Sequence, residues 1–208
     1  MIYLSDDYVS KYQDVLGYVI GRAISEGFSP RHIEKAIAYS SPFSMFEKSN
    51  ITDIAFSSYE KLYETIFDTK DINEYKYNPY DCFGWLGYTY IRLFFDLRIT
   101  FEALFIILPI DKAINMYHLY HEMDYRQTLE TVKESIKYTI FDVIMKTKNI
   151  SAKRLSELSN ISVSTISSLR YGSRDINKLE VSSCLKIANA LNVKTESLLT
   201  DINIILEK

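Results

Sequence analysis

The sequence predicts an all-α protein of two parts, an N-terminal helical domain over residues 1–134 and a helical C-terminal domain over residues 135–208. Three observations carry this. Apolar residues recur at three- and four-residue intervals along almost the whole chain, and no alternating apolar–polar run extends beyond a few residues. Prolines and glycines fall where such periodic segments begin and end. Charge divides sharply: residues 1–134 hold 13 Lys/Arg against 20 Asp/Glu, residues 135–178 hold 8 against 3, and residues 179–208 hold 3 against 4, which together give the net charge of −3. A basic block of net +5 thus follows an acidic block of net −7, as expected where one part of a chain meets phosphates and the other does not.

Taken in order, a helix from about Asp7 to Glu26 is stopped by Gly27. Ser29-Pro30 then supplies a cap and a first-turn proline for a helix to about Tyr39. Further helices are expected at about Ser44 to Lys48 and Thr52 to Phe67. Residues 68–81 (DTKDINEYKYNPYD) are polar and aperiodic, so they form a loop. CFGWLGYTYIRLFFDLR predicts a buried helix ending near Arg98; Thr100 caps a short helix, and Pro109 restarts one through IDKAINMYHLYHEMD. From Tyr125 to Met145 there is neither proline nor glycine, and Leu129, Val132, Ile136, Ile140 and Val143 keep one apolar face, which predicts a continuous helix across the domain boundary.

Composition excludes several classes. At 208 residues and 47% apolar content, each part can bury a core without disulfides or metal. Cys82 and Cys184 lack metal-ligand spacing and fit reduced thiols. The N-terminus MIYLSDDYVSKYQ is not a secretory signal, and the apolar stretch from Phe83 to Ile110 is broken by Arg92, Asp96, Arg98 and Glu102, so it reads as core and not as a membrane span. Cytoplasmic residence with no membrane partner is the expectation.

The most informative segment is ISAKRLSELSNISVSTISSLRYGSR. Ser151 caps a helix through Leu158, with Leu155 and Leu158 inward and Ser156 at a small-residue crossing. Asn160 suits a left-handed turn, since asparagine is among the few non-glycine residues that tolerate it. Ile161 fills the apolar site after the turn, Ser162 caps a second helix, Ile166 and Leu169 form its buried side, and Gly172 closes it. This pattern, with VSSCLKIANALNVKTESLL after it and a core of Ile187, Ala188, Leu191, Val193, Leu198 and Leu199, resembles the helix-turn-helix domain of the lambda-repressor/Cro type, the XRE family.

The resemblance implies a five-helix C-terminal domain with double-stranded DNA as the partner, the second helix of the motif lying in the major groove. It places Ser162, Val163, Ser164, Thr165 and Ser168 toward base edges, and Lys153, Arg154, Arg170, Tyr171 and Arg174 toward phosphates. None of the base-facing set is the Arg, Gln or Asn that reads guanine or adenine bidentately, so specificity is expected to lean on DNA shape and half-site spacing. The implied function is a transcriptional regulator, an autoregulatory repressor acting as a homodimer. The alternative is an antitoxin whose N-terminal domain neutralises a protein toxin while the C-terminal domain represses the operon.

The first 134 residues carry no catalytic signature, and an enzyme is not expected. Their tail vaguely resembles uncharacterised helical proteins of low-GC Gram-positive bacteria. His118, His121, Glu122 and Asp124 share a helix but include no third histidine, so no metal and no cofactor is expected. Trp85, Tyr88, Tyr90, Phe94 and Phe95 crowd one segment, as core residues or as the lining of a ligand pocket or a partner surface.

Overall fold

In a computed structural model of the chain, residues 6–47, 58–68, 75–136 and 139–199 are described, and no strand occurs among them. Contacts divide the chain into two compact units. One comprises residues up to 96 with 108–128; the other comprises 97–107 with 129 onward. Residues 97–107, on the N-terminal side of position 134, therefore group with the second unit.

In the first unit, α1 (Asp6–Ser25) ends at Gly27, whose φ of 86° turns the chain. Ser29 then caps α2 (Pro30–Tyr39), its hydroxyl accepting from the His32 amide at 3.4 Å. α3 (Ser41–Glu47) begins three residues before the expected start. α4 (Tyr59–Phe67) is started by Ser58, which is extended (φ −72°, ψ 158°) and accepts from the Lys61 amide at 3.3 Å; this corrects the single helix expected from Thr52 to Phe67, of which residues 52–57 lie outside the described set. α5 (Cys82–Leu97) is capped by the Asp81 carboxylate, which accepts from the Phe83 and Gly84 amides at 2.8 and 3.2 Å. α7 (Ile110–Tyr120) starts after Pro109 as expected.

α1 and α5 cross with their backbones in near contact. A Cβ at Gly87 would lie 2.0 Å from the Gln13 carbonyl oxygen, and one at Gly17 would lie 2.6 Å from that of Phe83. Beside this crossing, α1 buries Arg22 at 2% exposure. A guanidinium is tolerated there because it is paired, hydrogen-bonded and stacked: Nε bonds Glu26 at 2.8 Å, NH1 bonds the Tyr18 hydroxyl at 3.2 Å, and the guanidinium carbon lies 4.2 Å from the Tyr63 ring centroid. Tyr63 closes the cluster by donating to Glu26 at 2.6 Å. Tyr90 is fully buried and donates to the Leu108 carbonyl at 2.9 Å, while Phe94 and Phe95 pack on Phe46.

α8 (Tyr125–Ser135) begins in the first unit and ends in the second. It does not continue into α9 (Ile140–Thr147), which corrects the expected continuous helix. Thr139 is extended (φ −135°, ψ 161°) and its hydroxyl accepts from the Asp142 amide at 3.0 Å. A threonine that caps competes with helix continuation through its own side chain, without proline or glycine.

The rest of the second unit is α6 (Phe101–Ile107), α10 (Ala152–Ser159), α11 (Val163–Arg170), a 3-10 turn at Ile176–Lys178, α12 (Val181–Leu191) and a 3-10 turn at Thr195–Ser197. α6 packs on α9 and fixes the far end of the domain. The Glu102 carboxylate, 7% exposed, accepts from the Lys194 amide and the Ser197 hydroxyl, each at 2.7 Å, and Ser197 also meets the Thr100 hydroxyl at 2.7 Å. Both cysteines are free thiols, and burial with Asp81 alongside pushes Cys82 up to about 11. No helix among the described residues is long and apolar enough to cross a membrane.

Candidate nucleic-acid interface

The geometry of α10 and α11 follows from two serine caps and one asparagine. The Ser151 hydroxyl accepts from the Arg154 amide at 3.1 Å and starts α10. Asn160 ends it in the left-handed conformation, φ 55° and ψ 34°, with its amide donating to the Ser156 carbonyl at 2.9 Å. Ser162 starts α11 by accepting from the Thr165 amide at 3.2 Å. Only two residues, Ile161 and the cap Ser162, separate the turn from α11, which holds the two helices at a fixed angle.

Asn160 gives a direct test of this turn. An l-residue in that conformation costs about 1–2 kcal/mol, and a β-branched one more. Asn160→Val is expected to lower stability by about 2 kcal/mol, whereas Asn160→Gly should leave it unchanged or slightly raised. Thermal melts of both variants check this; a Val variant as stable as the parent would mean the turn is not held left-handed.

α11 buries Ile166 and Leu169, at 0% and 2% exposure, and turns small polar side chains outward. Ser162, Val163 and Ser164 are exposed, while Thr165, Ser167 and Ser168 are half-buried. The hydroxyls of Ser162, Ser164 and Thr165 cluster within 3.0 Å of one another through Ser162. Ser162 is thus both the helix cap and part of the outward face. Ser168 instead uses its carbonyl to accept from the Arg174 amide and the Ser173 hydroxyl, both at 3.1 Å, tying the segment after Gly172 (φ 75°) to α11.

Two inward expectations fail. Leu158 is 48% exposed and Leu199 43%. On α10 the inward row runs from Leu155 to Ser159, four residues on, and Ser159 is 3% exposed with its hydroxyl on the Leu155 carbonyl at 2.7 Å. The small residue at the buried position is therefore Ser159, and Ser156 is only half-buried.

The basic residues fall into two groups. Lys153, Arg154 and Arg174 are exposed, as is Tyr171. Arg154 pairs with Glu157 at 3.1 Å, an exposed contact easily exchanged for another anion. Arg170 is different: its Nε bonds the buried Asp142 carboxylate, whose other oxygen takes Lys146. Burial pushes the Asp142 carboxyl upward, but the hydrogen bonds and charges of Lys146 and Arg170 outweigh it and hold the group below its ordinary range. The Thr139 hydroxyl donates to the Arg170 carbonyl at 3.0 Å, so the end of α11 is held to the start of α9 at two points.

A groove opens beside the start of α11, lined by Asn160, Ser162, Thr165, Arg174, Lys178, Glu180 and Ser183 among others. Lys178 was not among the residues singled out from sequence. Its signal was present, since it is the last residue of the basic block, but the phosphate-facing residues drawn from the helix-turn-helix pattern ended at Arg174.

His121, by contrast, uses Nδ1 on the Tyr117 carbonyl at 2.9 Å, and no group of three potential metal ligands occurs among the described residues.

No curated protein and no solved structure matches the chain. Residues 141–203 match the family model of the Cro/C1-type HTH DNA-binding domain, a span that runs from α9 past the last 3-10 turn and contains both capped helices and the groove. The C-terminal part of this chain is a Cro/C1-type helix-turn-helix DNA-binding domain.

Proposed function

We propose that the chain is a sequence-specific transcriptional regulator, an autoregulatory repressor that binds a two-fold operator as a dimer. The observation that carries the reading is the outward face of α11 in a Cro/C1-type domain: small hydroxyl side chains and Val163, with the exposed Arg174 and Lys178 sharing a groove with Ser162 and Thr165. Ser162, Val163, Ser164, Thr165 and Ser168 are assigned to base edges, with Val163 suited to a thymine methyl. Lys153, Arg154, Tyr171 and Arg174 are assigned to phosphates, and Lys178 joins them. Arg170 is assigned to the same backbone, held in place by Asp142. Val181 and Leu185, 74% and 46% exposed and one helical turn apart on α12, offer an apolar contact for a second copy.

The test is capture of short genomic fragments, including the chain's own promoter, at two salt concentrations. Enrichment of a palindrome from that promoter at the higher salt supports the reading. Salt-sensitive, sequence-blind binding alone would overturn it and move attention to the acidic N-terminal part, whose charge suits a protein partner such as a toxin.

Salt dependence also checks the phosphate assignments. Arg174→Ala and Lys178→Ala are each expected to weaken binding to all sequences alike and to lower the slope of log affinity against log salt by about 1. A slope unchanged by Lys178→Ala would return that residue to the solvated surface.

A further inference from the structure

The first unit contains a concavity of about 380 Å³ between α5, α7 and the start of α8, within the size range of about 300–1,000 Å³ typical of small-molecule pockets. Its walls are aromatic: Trp85, Tyr88, Tyr117 and Tyr125 line it, with Trp85 edge-on to Tyr117 and Tyr88 edge-on to Tyr125 at centroid distances of 5.8 and 6.0 Å. Thr89, on the same turn of α5, also lines it. Thr89 is 1% exposed, and its Oγ1 has no hydrogen-bond partner among the described residues. An orphaned hydroxyl of this kind is uncommon in a folded protein and calls for a missing partner.

Charge selects among candidate partners. No lysine or arginine is among the described residues lining the cavity, whereas Asp81 is, and the chain around it carries net negative charge. An anion would meet ring faces and a carboxylate, both repulsive. A cation would meet the same groups favourably. The rings of this wall already hold one: the Arg92 guanidinium lies 4.9 Å from the Tyr88 centroid and 5.4 Å from that of Tyr125.

We infer that this cavity binds a small organic ammonium ion with an apolar or aromatic body, its N–H donating to Thr89 Oγ1 and its body packed among Trp85, Tyr88, Tyr117 and Tyr125. The chain would thereby carry a chemical input in the unit that lacks the helix-turn-helix, and the inference stands apart from the DNA-binding reading.

Trp85 is the sole tryptophan of the chain, so intrinsic fluorescence reports on this wall directly. Full-length protein is titrated with three probes that share one body: 2-phenylethylammonium, neutral 2-phenylethanol and anionic 3-phenylpropionate. The expected result is a saturable Trp85 signal with the ammonium, about tenfold weaker binding of the alcohol, and none of the carboxylate. Thr89→Val is expected to weaken the ammonium several-fold while leaving the melting temperature of the free protein unchanged or raised, since it removes only an unpaired hydroxyl. Equal binding of ammonium and alcohol, binding of the carboxylate, absence of any saturable signal, or full ammonium affinity in Thr89→Val would each overturn the inference.

Discussion

Gly87→Ala is expected to destabilise the protein by about 2–3 kcal/mol, lowering the melting temperature by roughly 5–10 °C. Alanine is ordinarily the better helix former by about 1 kcal/mol, so propensity alone predicts the opposite sign. The contact decides. The added Cβ would sit 2.0 Å from the Gln13 carbonyl oxygen and 2.7 Å from the Gly17 amide nitrogen. Both are backbone atoms of α1 and cannot rotate aside, so the two helices must separate and loosen the layer of Leu16, Ile20, Leu86 and Ile91, all fully buried. A melting temperature at or above that of the parent, measured by circular dichroism, would refute the close crossing.

Helix boundaries were legible where a side chain performs the capping locally. Ser29, Thr100, Ser151 and Ser162 were each read as caps, and each accepts from the amide three residues on. Thr139 does the same, yet it was read as helix interior. A threonine inside an apolar-periodic run is neutral evidence, and the periodicity was the stronger signal. Gly17 and Gly87 likewise look like weak points in helical patterns until the two helices are seen to touch. Nothing local distinguishes a glycine that permits contact from one that is merely tolerated.

The candidate site was legible to a similar depth. The turn residue Asn160, the buried pair Ile166 and Leu169, and the polar outward side of α11 all follow from spacing along one helix or turn. What spacing does not reveal is partnership across long separations. Glu102 looked like an interruption of an apolar stretch, but it holds Lys194 and Ser197, 92 and 95 residues later. The side-chain pairing of Arg170 with Asp142, 28 residues earlier, is of the same kind, and it changes what Arg170 does in the folded protein.

Asp142→Asn is expected to cost about 2 kcal/mol at neutral pH. The carboxylate is 1% exposed and receives charged hydrogen bonds from Arg170 and Lys146. Such bonds are worth about 1.5–3 kcal/mol when buried, but Lys146 is half-exposed and adds little, so most of the loss belongs to Arg170. The pH dependence follows from the lowered carboxyl. A group held below its ordinary value of 3.8 contributes fully above that value and loses its contribution as pH falls through the lower folded value. Parent and variant should therefore differ at pH 7 and converge in acid below about pH 4. Arg170→Ala should be destabilising by a similar amount, and the double variant should lose less than the two single losses added, because each removes the same interaction. Denaturant melts of the four proteins at pH 7 supply the cycle. Additive losses would mean that Arg170 does not depend on Asp142; its effect on DNA affinity would then be that of an independent phosphate contact, with a salt slope lowered by about 1 in Arg170→Ala and unchanged in Asp142→Asn.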